Sequence, residues 1–387
     1  MKPLPHQVQF GEGYSDRGLL VHEGGTGKTI CACLWLKDGR DSDALVVCPK
    51  KVGLKWEKAL KDWGTKATVV SKEEFKKEPW CYENKWSAKV IDEADEFASP
   101  LFVAAKRSQL SSKMYALTKA HPSMPTLLLT ATPIRSTPWN LHTLLVYYGV
   151  YIDWKAWRAK FFSLQNMPYL PYPAWLPKDN WRTEIRPILE KYADIVLLKD
   201  CVDDLPPVSE KKIKVKTPTY IEALDAKPFF DEHRWEQQNK AKEIIEIGKD
   251  FRKVLVVAYY REQIEQLEQL LGKDRQTFAI HGGVKDQEAV IKQAAESDEC
   301  FFIVQASIGA GFDADTFSCV VFASMSYAVR DFVQMKFRVR RIHNLHPVEY
   351  NFLIGGRCDR AVLKNIEAGK DFIPSEWKDV TEPTEEE

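Results

Sequence analysis

The stretch Gly18-Leu19-Leu20-Val21-His22-Glu23-Gly24-Gly25-Thr26-Gly27-Lys28-Thr29 constrains this chain more than any other. An apolar run passes without a break into a glycine-rich turn that ends in Gly-Lys-Thr, and Ile30 to Leu36 then has helical character. A buried strand, a tight turn and a helix in that order commit the chain to an α/β unit. The turn suits a nucleoside triphosphate. Gly25, Thr26 and Gly27 offer backbone N–H groups to phosphate, and the Lys28 ammonium can reach the β and γ oxygens. The Thr29 hydroxyl can ligate Mg²⁺, and the helix that follows adds its N-terminal dipole. His22 stands where the general pattern has its first glycine.

Apolar runs of the same kind recur. Leu45–Cys48, Lys89–Ile91 and Thr126–Leu129 read as strands buried on both faces, as in a parallel sheet. A second set begins at Val254–Ala258 and continues through Phe278–Ile280, Phe301–Val304 and Cys319–Phe322, with helical stretches at 261–271 and 286–296. A length of 387 residues is comfortable for two cores. The expected fold is therefore α/β, with two such domains, each a mainly parallel sheet flanked by helices, and a cleft between them. The boundaries expected are 1–200 and 201–387, with an aromatic and proline-rich insert at about 139–183. That insert carries Trp139, Tyr147, Tyr148, Tyr151, Trp154, Trp157, Phe161 and Phe162 and then Pro168 to Pro177. It reads chiefly as an insertion packing its aromatics onto the first domain, with a platform for bases or a protein partner as the functional alternative.

Bulk properties remove other classes. Lys plus Arg equals Asp plus Glu at 55 each, so no overall field favours a polyanion and nucleic-acid contacts must come from local patches. The N-terminus is not a secretory signal, and no apolar run has the length of a membrane span. The eight cysteines are scattered with no C-x-x-C pair, which argues against a zinc site or a disulfide framework and for a reducing compartment.

Three further segments carry chemistry. Asp92-Glu93-Ala94-Asp95 follows directly on Val90-Ile91, at the carboxyl end of a buried strand, where it faces the same crevice as the phosphate turn. Asp92 suits Mg²⁺ held through water, and Glu93 suits the base that orients the attacking water. Thr130-Ala131-Thr132-Pro133 closes another buried strand, with hydroxyls aimed toward the Asp92 region. In Gln334 to His343, Arg338 and Arg341 are three apart, which on a helix places them on one face as candidate arginine fingers.

In this order the segments resemble those of a superfamily 2 helicase-type motor, and within that group the Swi/Snf-like double-stranded DNA translocases. Leu4-Pro5-His6-Gln7 is similar to the opening motif, whose glutamine, here Gln7, reads adenine. Glu23 to Thr29 resembles the first motif. Val46 to Lys50 with Trp56-Glu57 is similar to the segment that touches the DNA backbone, which implies Lys50 and Lys51 as contacts. Asp92 to Asp95 and Thr130 to Arg135 resemble motifs two and three. Ile195 to Asp200 with Asp204 to Pro207 resembles the joint between the two motor domains. Ser307 to Asp313 and Gln334 to Arg341 resemble motifs five and six, which implies nucleotide contacts from Gly311 and Asp313. Departures exist: Asp95 spells the DEAD-box signature of RNA helicases, Phe337 replaces a glycine, and Ser326-Tyr327-Ala328 replaces tryptophan-asparagine-proline.

The resemblance implies tandem RecA-like domains and a DNA-dependent ATPase with ATP and Mg²⁺ as cofactors. Its implied partner is double-stranded or branched DNA, contacted through Lys50, Lys51, Thr132, His281 and Ser307. A monomer is expected, in the cytoplasm of a bacterial or viral setting or in a nucleus. The short flanks leave no room for chromatin-reading or nuclease domains. The alternatives are a DEAD-box-like RNA helicase, and a partner-binding regulatory protein that keeps the motor fold.

Overall fold

In the computed structural model, residues 2–13, 16–102, 107–135, 137–166, 172–201, 205–216, 237–308, 312, 314–340, 344 and 346–369 are described. The chain divides into two compact units, Met1–Asp203 and Asp204–Glu387.

The first unit is built on strands β1 (Arg17–His22), β2 (Ala44–Cys48), β3 (Thr68–Ser71), β4 (Ala88–Ile91), β5 (Thr126–Thr130) and β8 (Asp194–Val196). They form one sheet in the order β3-β2-β4-β5-β1-β8, and every pairing is parallel. Alternation explains why these runs are apolar throughout. Leu19, Leu45, Val47, Ile91 and Leu128 belong to the core on one face, and Leu20, Val46, Val90, Leu127 and Leu129 to the core on the other. Helices α1 (Pro5–Gly13), α2 (Lys28–Lys37) and α3 (Gly53–Trp63) are among those that cover it. Helix α3 stops because Gly64, at φ 64°, turns left-handed and its N–H reaches back to the Leu60 and Lys61 carbonyls.

The aromatic segment packs as an insertion on this unit. Trp139, Leu141, Leu144, Leu145, Tyr147, Trp157, Phe161, Phe162, Trp181 and Ile185 join the core beside Leu19 and Leu128. A small antiparallel hairpin, β6 (Phe162–Gln165) with β7 (Ala174–Pro177), leaves Leu164 and Trp175 exposed, and Arg158 lies over the Trp175 ring. Pro168 and Pro171 of the proline-rich run lie outside the described residues.

The second unit repeats the plan with β9 (Val208–Lys214), β10 (Lys253–Ala258), β11 (Thr277–Ile280), β12 (Cys300–Gln305), β13 (Cys319–Phe322) and β14 (Val348–Ile354). Their order is β11-β12-β10-β13-β14-β9, again parallel throughout. Its two cores again take alternate residues, Leu255 and Val257 on one side, Val254 and Val256 on the other.

One buried charge breaks the apolar pattern. Lys89 on β4 is 1% exposed, its Nζ donating to Thr118 Oγ1 at 2.7 Å. Burial, helped by the Arg17 charge, lowers its pKa to about 7. The folded group is thus depressed from its unfolded value. The cost of carrying it is absent above the unfolded pKa, grows as pH falls from about 10.4 to 7, and is complete below that. Stability should therefore rise with pH across that window, by up to about 1.4 kcal/mol per unit. Lys89→Met should be more stable at pH 7 and should lack this component, which urea unfolding of both proteins over the pH series will measure.

Candidate nucleotide-binding site

The site grows from the carboxyl ends of β1, β4 and β5. Beyond β1 the chain turns through Gly25 (φ 87°) and Gly27 (φ 84°), both left-handed. Gly27 is required twice over, because a Cβ there would lie 2.2 Å from Gln7 Nε2 as well as being strained. Gln7 itself is buried on α1. Its Nε2 donates to the Thr26 carbonyl at 2.9 Å, and its Oε1 accepts from the Leu4 N–H. The Thr26 hydroxyl donates to the Glu23 carbonyl, and Lys28 Nζ donates to the carbonyls of His22 (2.7 Å) and Glu23 (3.2 Å). Glu23 is fixed in turn, its N–H on the Val196 carbonyl and its Oε2 accepting from the Leu198 N–H. The turn is therefore held in shape from α1 and from β8. Thr29 lies in the first turn of α2.

Beyond β4, Asp92 takes the Trp56 indole N–H on Oδ2 at 2.9 Å and the Glu93 N–H on Oδ1 at 3.0 Å. Burial raises its pKa, the neighbouring Glu93 adds to the rise, and the Trp56 bond and the Lys28 charge oppose it. The phosphate turn and the acidic turn therefore share one electrostatic environment within the first unit. Glu93 adopts φ 50°, the only positive φ outside glycine among the described residues, and such a conformation costs about 1–3 kcal/mol. The backbone strain accompanies a carboxylate at the position expected of the base.

The hydroxyls of Thr130 and Thr132 reach the acidic turn as expected, at its last residue, Asp95. Thr130 Oγ1 donates to Asp95 Oδ1 at 3.0 Å, Thr132 Oγ1 reaches Oδ2 at 3.4 Å, and Arg135 adds Nε at 2.8 Å and a second nitrogen at 2.7 Å. Asp95 is 2% exposed, and its ion pair with Arg135 lies inside the domain. The sequence offered Trp56 and Arg135 as motif members, but not as the donors to Asp92 and Asp95; their partners lie 36 and 40 residues away.

In the second unit, Arg338 lies in the helix Val329–Val339 and donates to the Phe312 carbonyl at 3.1 Å, within its own unit. The helix that carries Arg338 is shorter than the arginine run. The helix ends at Val339, Arg340 is extended (φ −80°, ψ 98°), and Asn344 Nδ2 satisfies the terminal Val339 carbonyl at 2.9 Å. Arg341, Gly311 and Asp313 lie outside the described residues. His281 follows β11 and is 8% exposed; its Nδ1 accepts from the Gly283 N–H at 3.1 Å, which shapes the turn. Ser307 is exposed just after β12, and Lys50 and Lys51 are exposed just after β2.

Residues 237–343 match the helicase conserved C-terminal domain. Among solved structures, the chain is similar to the helicase Lhr of Mycobacterium smegmatis bound to ssDNA and AMP-PNP. The TM-score is 0.56 and the identity 14%, over 95% of this chain and 48% of that one, so the chain spans about half the length of that helicase. A similarity to the Sulfolobus solfataricus SWI2/SNF2 ATPase core in complex with dsDNA has TM-score 0.44 and 16% identity, over 97% of this chain and 93% of that one. No curated protein sequence matches the chain. Two parallel α/β units, a phosphate turn beside an acidic turn, and a helicase conserved C-terminal domain over residues 237–343 are the features the chain presents.

Arg135→Ala removes the guanidinium that pairs with the buried Asp95 carboxylate. It should destabilise the first unit by about 3 kcal/mol, read as a lower urea midpoint at unchanged slope.

Proposed function

We propose that the protein is a DNA-dependent ATPase that couples hydrolysis to translocation on double-stranded DNA. Its support is the ordered set of motifs, and the observation that carries it is the shared environment of Lys28 and Asp92 within the first unit. Thr29 and Asp92 would hold Mg²⁺, whose chemistry is to neutralise charge on the phosphate oxygens. The donor set fits: a hydroxyl in the first turn of α2 and a carboxylate at the end of β4. Gln7 reads the adenine edge, Glu93 orients water, and Arg338 and Arg341 of the second unit serve as arginine fingers. Gly311 and Asp313 add nucleotide contacts from the same unit.

Translocation follows if each unit's hold on the phosphate backbone changes with nucleotide state. Lys50, Lys51 and Thr132 are the proposed grip of the first unit; His281 and Ser307 are that of the second. These contacts position a duplex without reading sequence. The SWI2/SNF2 core was solved with dsDNA and Lhr with ssDNA, so strand preference is the question that experiment must answer. The proposed domains are 1–200 and 201–387.

At fixed ionic strength, duplex DNA should raise ATP turnover well above the basal rate, and single-stranded RNA should not. Stimulation by RNA alone would overturn the DNA reading in favour of an RNA helicase. Lys28→Ala should abolish turnover with every polymer. Arg338→Ala should leave nucleotide affinity near its original value while lowering hydrolysis by about 10³-fold, measured by equilibrium binding and single-turnover hydrolysis.

A further inference from the structure

His6, His22 and Cys31 each present one ligating atom within 4.8 Å of the other two, directly behind the phosphate turn. They come from three elements: His6 from α1, His22 from the end of β1, Cys31 from the first turn of α2. His22 and Cys31 are fully buried, and His6 is half-buried. The two imidazoles stand edge to face, with centroids 6.0 Å apart.

The second observation concerns the unused atoms. His22 Nε2 is paired with Asp194 Oδ2 at 2.8 Å, while its Nδ1 is buried and has no hydrogen-bond partner among the described residues. A buried orphan of that kind is a cost that native structures rarely carry. His6 repeats the arrangement, its Nε2 lying 3.0 Å from the Thr26 carbonyl. A metal-binding histidine characteristically donates its outer N–H to a carboxylate or a backbone carbonyl, which fixes the ring and makes the other nitrogen the ligand. Both rings show this outer contact.

We propose that His6, His22 and Cys31 form a site for a borderline-soft divalent cation, Zn²⁺ by ligand type, with a water in the fourth position. Bond lengths of 2.0–2.3 Å at a tetrahedral ion place ligands about 3.3–3.8 Å apart, so the three groups need to close by about 1 Å. Neutral imidazole is the form a metal takes, and burial already lowers the His22 pKa. The Cys31 thiol, pushed up to about 12 by burial, stays protonated until a cation binds it. An ion there would join α1, β1 and α2, the elements that carry Gln7, His22 and Lys28. This site is separate from the Mg²⁺ ligands proposed above, and the inference does not require that reading.

The test uses Co²⁺ and Zn²⁺ on the full chain in the absence of nucleotide. One equivalent of Co²⁺ should give tetrahedral visible bands and a thiolate charge-transfer band in the near ultraviolet, both displaced by Zn²⁺. Zn²⁺ should also raise the melting temperature. His6→Ala, a change at a half-exposed surface position, should lose the tight binding and the thermal shift, and Cys31→Ser should lose the thiolate band. Cys201→Ser, which alters the thiol 3.9 Å from His6 Nε2, should keep that band. No stoichiometric cobalt spectrum, or binding that survives both His6→Ala and Cys31→Ser, would overturn the site. Loss of the thiolate band in Cys201→Ser would overturn the assignment to Cys31. ATP turnover is not a readout, so failure here leaves the motor reading untouched.

Discussion

Each sheet is parallel throughout and its central strands are buried on both faces, and that constraint decides where everything else can go. Apolar side chains leave no room for reactive groups above or below the strands, so polar chemistry gathers at the strands' carboxyl ends. In the first unit those ends carry Glu23 after β1, Lys50 after β2, Asp92 after β4 and Thr132 after β5. The second unit places Tyr259 after β10, His281 after β11, Ser307 after β12 and Ser324 after β13. Ser324 shows how such an edge becomes ordered: it accepts from the Tyr259 N–H and donates to Gln263, linking two strand ends to a helix.

Much of this order was legible in the residues because burial on both faces writes itself as uninterrupted apolar runs. Leu45–Cys48, Val254–Ala258 and Phe301–Val304 fall within strands for that reason, and the helix at 261–271 has the predicted bounds. The edge strands were not legible. β9 reads Val-Ser-Glu-Lys-Lys-Ile-Lys and is mostly exposed, so its place is fixed by pairing with β14 rather than by its own hydrophobicity. β8 has only three residues. The end of the helix that carries Arg338 was not legible either, because the Asn344 side chain that donates to its terminal carbonyl lies beyond the run.

The ligating trio behind the phosphate turn illustrates a harder limit. A search by spacing finds sites whose donors lie close in sequence, as in paired cysteines. His6, His22 and Cys31 are brought together only when α1 packs on α2 and both meet the end of β1. The departure at His22, where a glycine is usual, was visible, but its significance depends on Asp194, which arrives 172 residues later.

The same neighbourhood shows how a phosphate turn can be held ready. Lys28 rests on two neutral carbonyls of its own turn, and phosphate oxygens are stronger acceptors for an ammonium, since charge-assisted hydrogen bonds are roughly twice as strong as neutral ones. The loop does not depend on the Lys28 bonds for its shape, since Thr26 and Glu23 are held by Gln7, Val196 and Leu198. The last of these contacts has a mechanical consequence. Glu23 grips the backbone at Leu198, a few residues before the first unit ends at Asp203. A shift of Glu23 that kept this bond would move Leu198 with it.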